Sequence, residues 1–212
     1  MAIIASALTL TRSDMAALSI NDAYSIHRVV YSLFEDVRTD EEKADGKSSG
    51  ILYADMGGDH QNRRILLLSD RAPAPAVDGK YGVVNSKEVG DDFLGYQTYN
   101  FNVIVNPTRQ ENQSRKIIPI RRHLIGNWFD ERAQKWGFQV DPESFQVSTM
   151  EIEKFQSKQK NPITLARAHV QGRLHITNHE DFRKSFTSGI GRGKAFGCGL
   201  LQIVPVIENP FS

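Results

Sequence analysis

Apolar positions along the chain fall into short runs whose spacing alternates between strand-like and helix-like. Ile3 to Leu10 is an apolar run of strand length, and Asn21-Asp22 then offers a helix cap. Ala23, Ile26, Val30, Leu33, Phe34 and Val37 follow at helical spacing, which predicts an amphipathic helix. After a polar break from Thr39 to Gly50, Ile51-Leu-Tyr-Ala-Asp55 and Arg63-Arg-Ile-Leu-Leu-Leu-Ser69 form two strand-like runs parted by Gly57-Gly58-Asp59. Beyond the loop Pro73-Ala-Pro-Ala-Val-Asp-Gly79 the pattern weakens, until Tyr96 to Asn106 alternates as a strand does. The first half therefore predicts β-α-β-β, a weak region, and β.

The second half repeats that order. Arg115 to Ile120 is a short strand, and Leu124, Ile125, Trp128, Phe129, Ala133 and Trp136 make a helical stripe that stops at Gly137. Phe145 to Phe155 and Ile163 to Ile176 form the arms of a hairpin. Asn178 can cap a helix beginning near Glu180, and Leu200 to Ile207 closes the unit as a strand. Two β-α-β-β-α-β units predict an α+β protein of tandem ferredoxin-like (RRM-like) domains, each an antiparallel sheet with helices on one face. The expected domains are 1–110 and 111–212, with the boundary near Asn106 to Ser114.

Composition sets the frame. At 212 residues, 40% hydrophobic and 24% charged, the chain is long enough to bury real cores. No run of about 18 apolar residues exists to span a membrane, and the N-terminus lacks the basic start of a signal peptide, so the expected location is cytoplasmic. The single cysteine, Cys198, lies among glycines with no activating neighbour in sequence, which suits a small buried residue. The net charge of +1 conceals an asymmetry: residues 1–110 hold 11 Lys and Arg against 15 Asp and Glu, a net of −4, and residues 111–212 hold 15 against 10, a net of +5. Only the second half has the balance of a polyanion binder.

Its cations cluster in two places. Ser188-Gly-Ile-Gly-Arg-Gly-Lys-Ala-Phe-Gly-Cys-Gly-Leu-Leu201 holds five glycines, Gly189, Gly191, Gly193, Gly197 and Gly199, with Arg192 and Lys194 among them. Such a loop can turn amide N–H groups toward phosphate. The P-loop spacing fails, because Ser188 stands where its first glycine should and Ala195 follows the lysine. The dinucleotide pattern G-x-G-x-x-G is absent. A loop for a polynucleotide backbone is one reading and a tightly packed turn the other. In the second hairpin, Ala166, Ala168, Val170, Gly172, Leu174 and Ile176 share one strand face, and Arg167, His169, Gln171, Arg173 and His175 the other. Lys158 and Lys160 sit at its tip, making a ribbon suited to phosphates. A solvated strand face is the alternative.

The chain has no acidic D-x-D cluster beside a histidine, which speaks against two-metal nuclease chemistry. His169, His175 and His179 do not converge as ligands, so neither a metal nor another cofactor is expected. His27 is different: it sits one turn into the capped helix, beside the apolar stripe, with Tyr24 three residues earlier. An imidazole there can pass protons at neutral pH. In RNA, a base that takes the 2′-hydroxyl proton lets that oxygen attack its own phosphate, and an acid completes the cut at the 5′-oxygen without metal. A half-buried histidine bonded to backbone is the structural alternative.

These residues match a family. The chain resembles the CRISPR-associated CasE endoribonucleases, Cascade subunits that cut precursor CRISPR RNA at its repeat hairpin, nearly from end to end. The anchors are Ala23-Tyr-Ser-Ile-His-Arg28, Leu66-Leu-Leu-Ser-Asp70, Phe101 to Thr108 with Asn106-Pro-Thr108, and the run from Gly189 to Leu201. The resemblance implies tandem ferredoxin-like domains with a catalytic histidine and a supporting tyrosine on the first helix, here His27 and Tyr24. It implies metal-free cleavage 3′ of the repeat stem, leaving a 2′,3′-cyclic phosphate and a 5′-hydroxyl, with the product retained and other Cascade subunits as partners. Lys154, Lys158 and Lys160 with Arg167 and Arg173 correspond by position to the element that grips the stem. A non-catalytic RNA-holding subunit of the same architecture is the rival reading. Two features depart from the family: the second helix of the first half is indistinct, and the acidic stretch Asp40 to Asp45 has no assigned role.

Overall fold

The structure, a computed structural model of the chain, describes residues 2–59, 61–111, 116–156 and 162–207. The chain divides into two compact units, Met1–Val89 with Ala195–Gly197, and Gly90–Lys194 with Cys198–Ser212. The contacts therefore divide the chain earlier than the expected 110/111 boundary, and three residues of the glycine-rich loop count with the first unit.

The first unit runs β1 (Ile4–Thr11), α1 (Arg12–Ala17), α2 (Ala23–Ser32), α3 (Asp40–Ala44), β2 (Ile51–Gly58), β3 (Asn62–Ser69) and β4 (Val83–Glu88). Its sheet has the order β2-β3-β1-β4 with antiparallel neighbours, the ferredoxin-like arrangement. Asp22 starts α2 as expected: its carboxylate accepts the Ser25 N–H at 2.8 Å, and Ser25 Oγ accepts the Asp22 N–H at 3.0 Å. Ile26, Val29, Val30 and Leu33 then pack on Leu8, Leu10, Ile51, Tyr53, Ile65 and Leu67 of the sheet. Burial of these side chains supplies most of the unit's stability, at about 1.5–3 kcal/mol for each large one. The helix ends before Val37, which is exposed, and Arg71 holds the Glu35 carbonyl there through Nε at 3.2 Å and Nη2 at 2.9 Å.

The last strand of this sheet is not Tyr96 to Asn106. It is β4, inside the stretch where the sequence pattern weakens. Five of its six residues are exposed, so an edge strand wet on both faces keeps no hydrophobic alternation to detect. No second helix intervenes; residues 70–82 form a loop with one bridge, Val77 to Tyr81.

The second unit contains β5 (Thr98–Val105), β6 (Thr108–Gln110), β7 (Ile117–Pro119), α4 (Ile125–Ala133), β8 (Phe138–Val140), β9 (Gln146–Gln156), β10 (Pro162–Ile176), α5 (His179–Ser188) and β11 (Gln202–Pro205). Its sheet order is β11-β5-β10-β8, with β9 also paired to β10, so the ferredoxin-like order recurs. The alternating run from Tyr96 to Asn106 opens this sheet by pairing with β10. The expected opening strand, Arg115 to Ile120, instead pairs in its described part with β6 as a separate ribbon. Aromatic rings fill this core: Phe101 stacks on Phe129 at 5.7 Å, and Phe182 meets Tyr99 at 5.5 Å and Phe138 at 6.2 Å. Gly137 ends the helical segment at φ 84°, where a Cβ would stand 2.3 Å from the Phe182 backbone nitrogen, so only glycine fits.

Candidate active site and nucleic-acid surfaces

Helical spacing puts Tyr24, His27 and Tyr31 on one stripe of α2, beside the face that packs into the core. The His27 imidazole stacks with the Tyr24 ring at 6.2 Å and lies against Tyr31 at 4.2 Å and Phe196 at 5.7 Å. Its Nδ1 is 2.7 Å from the Ala195 carbonyl oxygen. A carbonyl can only accept, so Nδ1 carries the proton in the neutral ring, and the Nε2 lone pair remains as the ring's acceptor. Burial lowers the affinity of His27 for a second proton, and the bond to Ala195 opposes this in part. The net shift is below the ordinary value of 6.5, so the ring is neutral and basic at neutral pH.

The Ala195 carbonyl accepts a second bond, from the hydroxyl of Tyr53 on β2, at 3.0 Å. Tyr53 is buried, as a core tyrosine can be when its hydroxyl has a partner. Gly197, at φ 79°, crosses the Tyr53 ring so closely that a Cβ would lie 2.9 Å from Cε2. The glycine at this position is thus explained by packing in the first unit.

The rest of the glycine-rich loop is held within the second unit. Ile190 N–H donates to Gly199 O at 2.9 Å, and Gly199 N–H donates to Ile104 O at 2.7 Å. Lys194 Nζ donates to Ser188 O at 2.7 Å, near the C-terminus of α5, where a cation is favoured. Burial lowers the affinity of this amine for its proton. Arg192 is exposed, and a Cβ at Gly191 would meet nothing within 4 Å, so these two residues form the open part of the loop. Cys198 is fully buried and its thiol is pushed up to about 12 by burial, which makes it a packing residue.

The hairpin carries the expected two faces. Ala166, Ala168, Val170, Leu174 and Ile176 are buried, and Gln171, Arg173 and His175 are exposed on the other side. The partner strand alters the charge of that polar face. Register places Glu151 opposite Arg167, and the Arg167 guanidinium lies 3.9 Å from the Glu153 carboxylate with its side chain only 11% exposed. Lys154 pairs with Thr164, so it projects to the opposite side of the sheet from Arg167 and Arg173. The structure therefore keeps Arg173 as an exposed cation of the polar face and does not bring Lys154 to it. Lys158 and Lys160 lie outside the described residues.

A family model described as CRISPR associated protein matches residues 5–205. The chain belongs to that family. No curated protein matches the sequence, whereas solved structures match over nearly the whole length. A structure of the CRISPR endoribonuclease Cse3 bound to a 19-nucleotide RNA is 19% identical with a TM-score of 0.78, covering 97% of this chain and 100% of that one. Cse3 of Thermus thermophilus bound to an RNA representing a pre-cleavage complex gives 19% and 0.77 over 97% and 100%. Cas6e of Escherichia coli K-12 gives 17% and 0.60 over 96% and 100%. This CRISPR-associated chain thus shares the tandem ferredoxin-like fold of those proteins.

Sequence reasoning alone did not find Tyr31, Tyr53, Phe196 or the Ala195 carbonyl. Tyr31 was within reach, since it lies four residues after His27 on the same helix. Tyr53 carried one signal, a phenol directly after Ile51 and Leu52 in a strand-like run, where a buried hydroxyl demands a partner. The carbonyl had none, because backbone atoms leave no trace in composition. Among the described residues no helix is long and apolar enough to cross a membrane, and no group of three or more His, Cys, Asp or Glu is placed to hold a metal ion.

Proposed function

We propose that the protein is a metal-independent endoribonuclease that cuts precursor CRISPR RNA at the repeat stem-loop and stays bound to the product as a Cascade subunit in the cytoplasm. The observation that carries this reading is His27: a neutral imidazole with Nδ1 bonded to a fixed carbonyl and Nε2 left as acceptor, on the fold shared with RNA-bound Cse3.

In this mechanism Nε2 takes the proton of the 2′-hydroxyl, and the 2′-oxygen attacks the adjacent phosphorus. The bond from phosphorus to the 5′-oxygen breaks, that oxygen takes a proton from water, and the proton held on Nε2 returns to the solvent. The products are a 2′,3′-cyclic phosphate and a 5′-hydroxyl. Tyr24 supports the imidazole by stacking on it. In the second unit, Arg192 and Arg173 supply exposed positive charge for the RNA backbone, and Lys158 and Lys160, between β9 and β10 in the sequence, add two further cations. Lys194, tied to the end of α5, acts first as a support for the loop.

A second reading has an observation of its own. A half-buried histidine bonded to a backbone carbonyl is also what a packing residue looks like, and it fits an RNA-holding subunit without catalysis. The two separate on His27→Ala. As the general base, its loss cuts single-turnover cleavage of repeat RNA by about 10²–10⁴-fold, with hairpin affinity held within a few-fold. Cleavage unchanged in the variant, or affinity lost in parallel, rejects His27 as the base.

A further inference from the structure

We infer that Tyr53 is a positioning residue for His27, acting through the Ala195 carbonyl; this rests on the assignment of His27 as the base. The tautomer of an imidazole is set by the bond its other nitrogen makes. At His27 that bond goes to a carbonyl in a glycine-rich loop, where main-chain rotation is least restricted. Something outside the loop has to hold the oxygen still.

Tyr53 has the placement to do so. It stands on β2 opposite Leu67 of β3, inside the core that also receives Ile26 and Val30 from α2. Its phenol is 1% exposed and its hydroxyl donates to the carbonyl at 3.0 Å, so movement of that oxygen would break a hydrogen bond made inside the core. Gly197 lets the chain pass over the phenol ring, and Phe196 closes against the imidazole. The order of constraint runs from sheet to phenol to carbonyl to Nδ1. The direction of the Nε2 lone pair is thereby fixed by the rigid sheet, although the group that touches the ring belongs to a loop.

The test uses the full chain as wild type, Tyr53→Phe and Gly197→Ala. Long-range proton–nitrogen NMR spectra above neutral pH report the His27 tautomer, assigned by the signals missing in His27→Gln. Single-turnover cleavage and RNA affinity are measured beside them. The wild-type ring should be protonated at Nδ1. Tyr53→Phe should raise the Nε2-protonated fraction and slow cleavage about tenfold at saturating RNA, with affinity changed less than about threefold. Gly197→Ala, whose methyl must push against the phenol, should do the same to a greater extent, about a hundredfold. A wild-type ring protonated at Nε2, or a Tyr53→Phe protein with tautomer and cleavage both unchanged, overturns the inference. Equal losses of affinity and rate also overturn it, since they assign Tyr53 to the fold alone. A ring locked at Nδ1 and released in Tyr53→Phe, in a protein that never cuts the RNA, upholds Tyr53 as the holder of the ring and instead removes the base assignment.

Discussion

The two units build the same sheet order from different materials. The first closes its core mainly with aliphatic side chains under α2, with Tyr53 the one aromatic of its fully buried cluster, omits the second helix, ends on a wet edge strand and lies in the acidic part of the chain. The second packs Phe101, Phe129, Phe138 and Phe182 together, has both helices and carries the excess of Lys and Arg. Under the proposed function the first unit holds a proton-transfer group and the second holds charge for RNA. A ferredoxin-like sheet constrains neither property; each depends on a few side chains placed on it.

The sharpest way to break this contrast is through the cores. Phe182→Ala should destabilise the second unit by about 3–5 kcal/mol, seen as a lower denaturation midpoint by near-ultraviolet dichroism. Gly137→Ala, which forces a Cβ toward the start of α5 at a left-handed backbone position, should cost about 1–3 kcal/mol in the same assay. If either change left the second unit's stability intact, the aromatic core would not be what holds it.

Charge gives a finer test. Arg192→Ala should weaken RNA binding and reduce the slope of log affinity against log salt by about one, because one phosphate contact is lost. Arg167→Ala should change that slope less, since Glu153 already lies beside its guanidinium. Equal slopes for the two variants would show that the ion pair opens on RNA.

The smallest expected effect is in pH, and it concerns the first unit. Burial makes the folded His27 bind a proton less readily than the unfolded chain does, so protonation favours unfolding and stability falls as pH drops through 6.5. The same protonation removes the base. Cleavage under subsaturating RNA should therefore rise with pH through a midpoint below 6.5, the ordinary imidazole value. A rise that continued well above 6.5 would mean that another group limits the reaction.

Much of this was legible in the sequence because periodicity survives wherever one face is buried. The cap at Asp22, the stop at Gly137 and the two faces of β10 all stand where the pattern puts them. The pattern fails at β4, where both faces are wet, and the run from Tyr96 to Asn106, which the pattern puts in the first sheet, pairs in the second. The site was half legible. His27 and Tyr24 follow from helical spacing, but the contact that sets the imidazole spans 168 positions and ends on a backbone oxygen. The polar face of β10 looked wholly cationic because Glu151 and Glu153 approach it from a neighbouring strand, across a register that a single strand does not reveal.

RNA transesterification by a protein base needs the 2′-hydroxyl and no metal ion. Its most direct test is incubation of the purified chain in EDTA with a short RNA bearing its host's CRISPR repeat, beside the same RNA with a 2′-deoxy group at the cut site, followed by analysis of the product ends. The first RNA should give a 2′,3′-cyclic phosphate and a 5′-hydroxyl, and the second should stay whole. Tight binding with both RNAs left whole, or cleavage that survives the deoxy substitution, would contradict it.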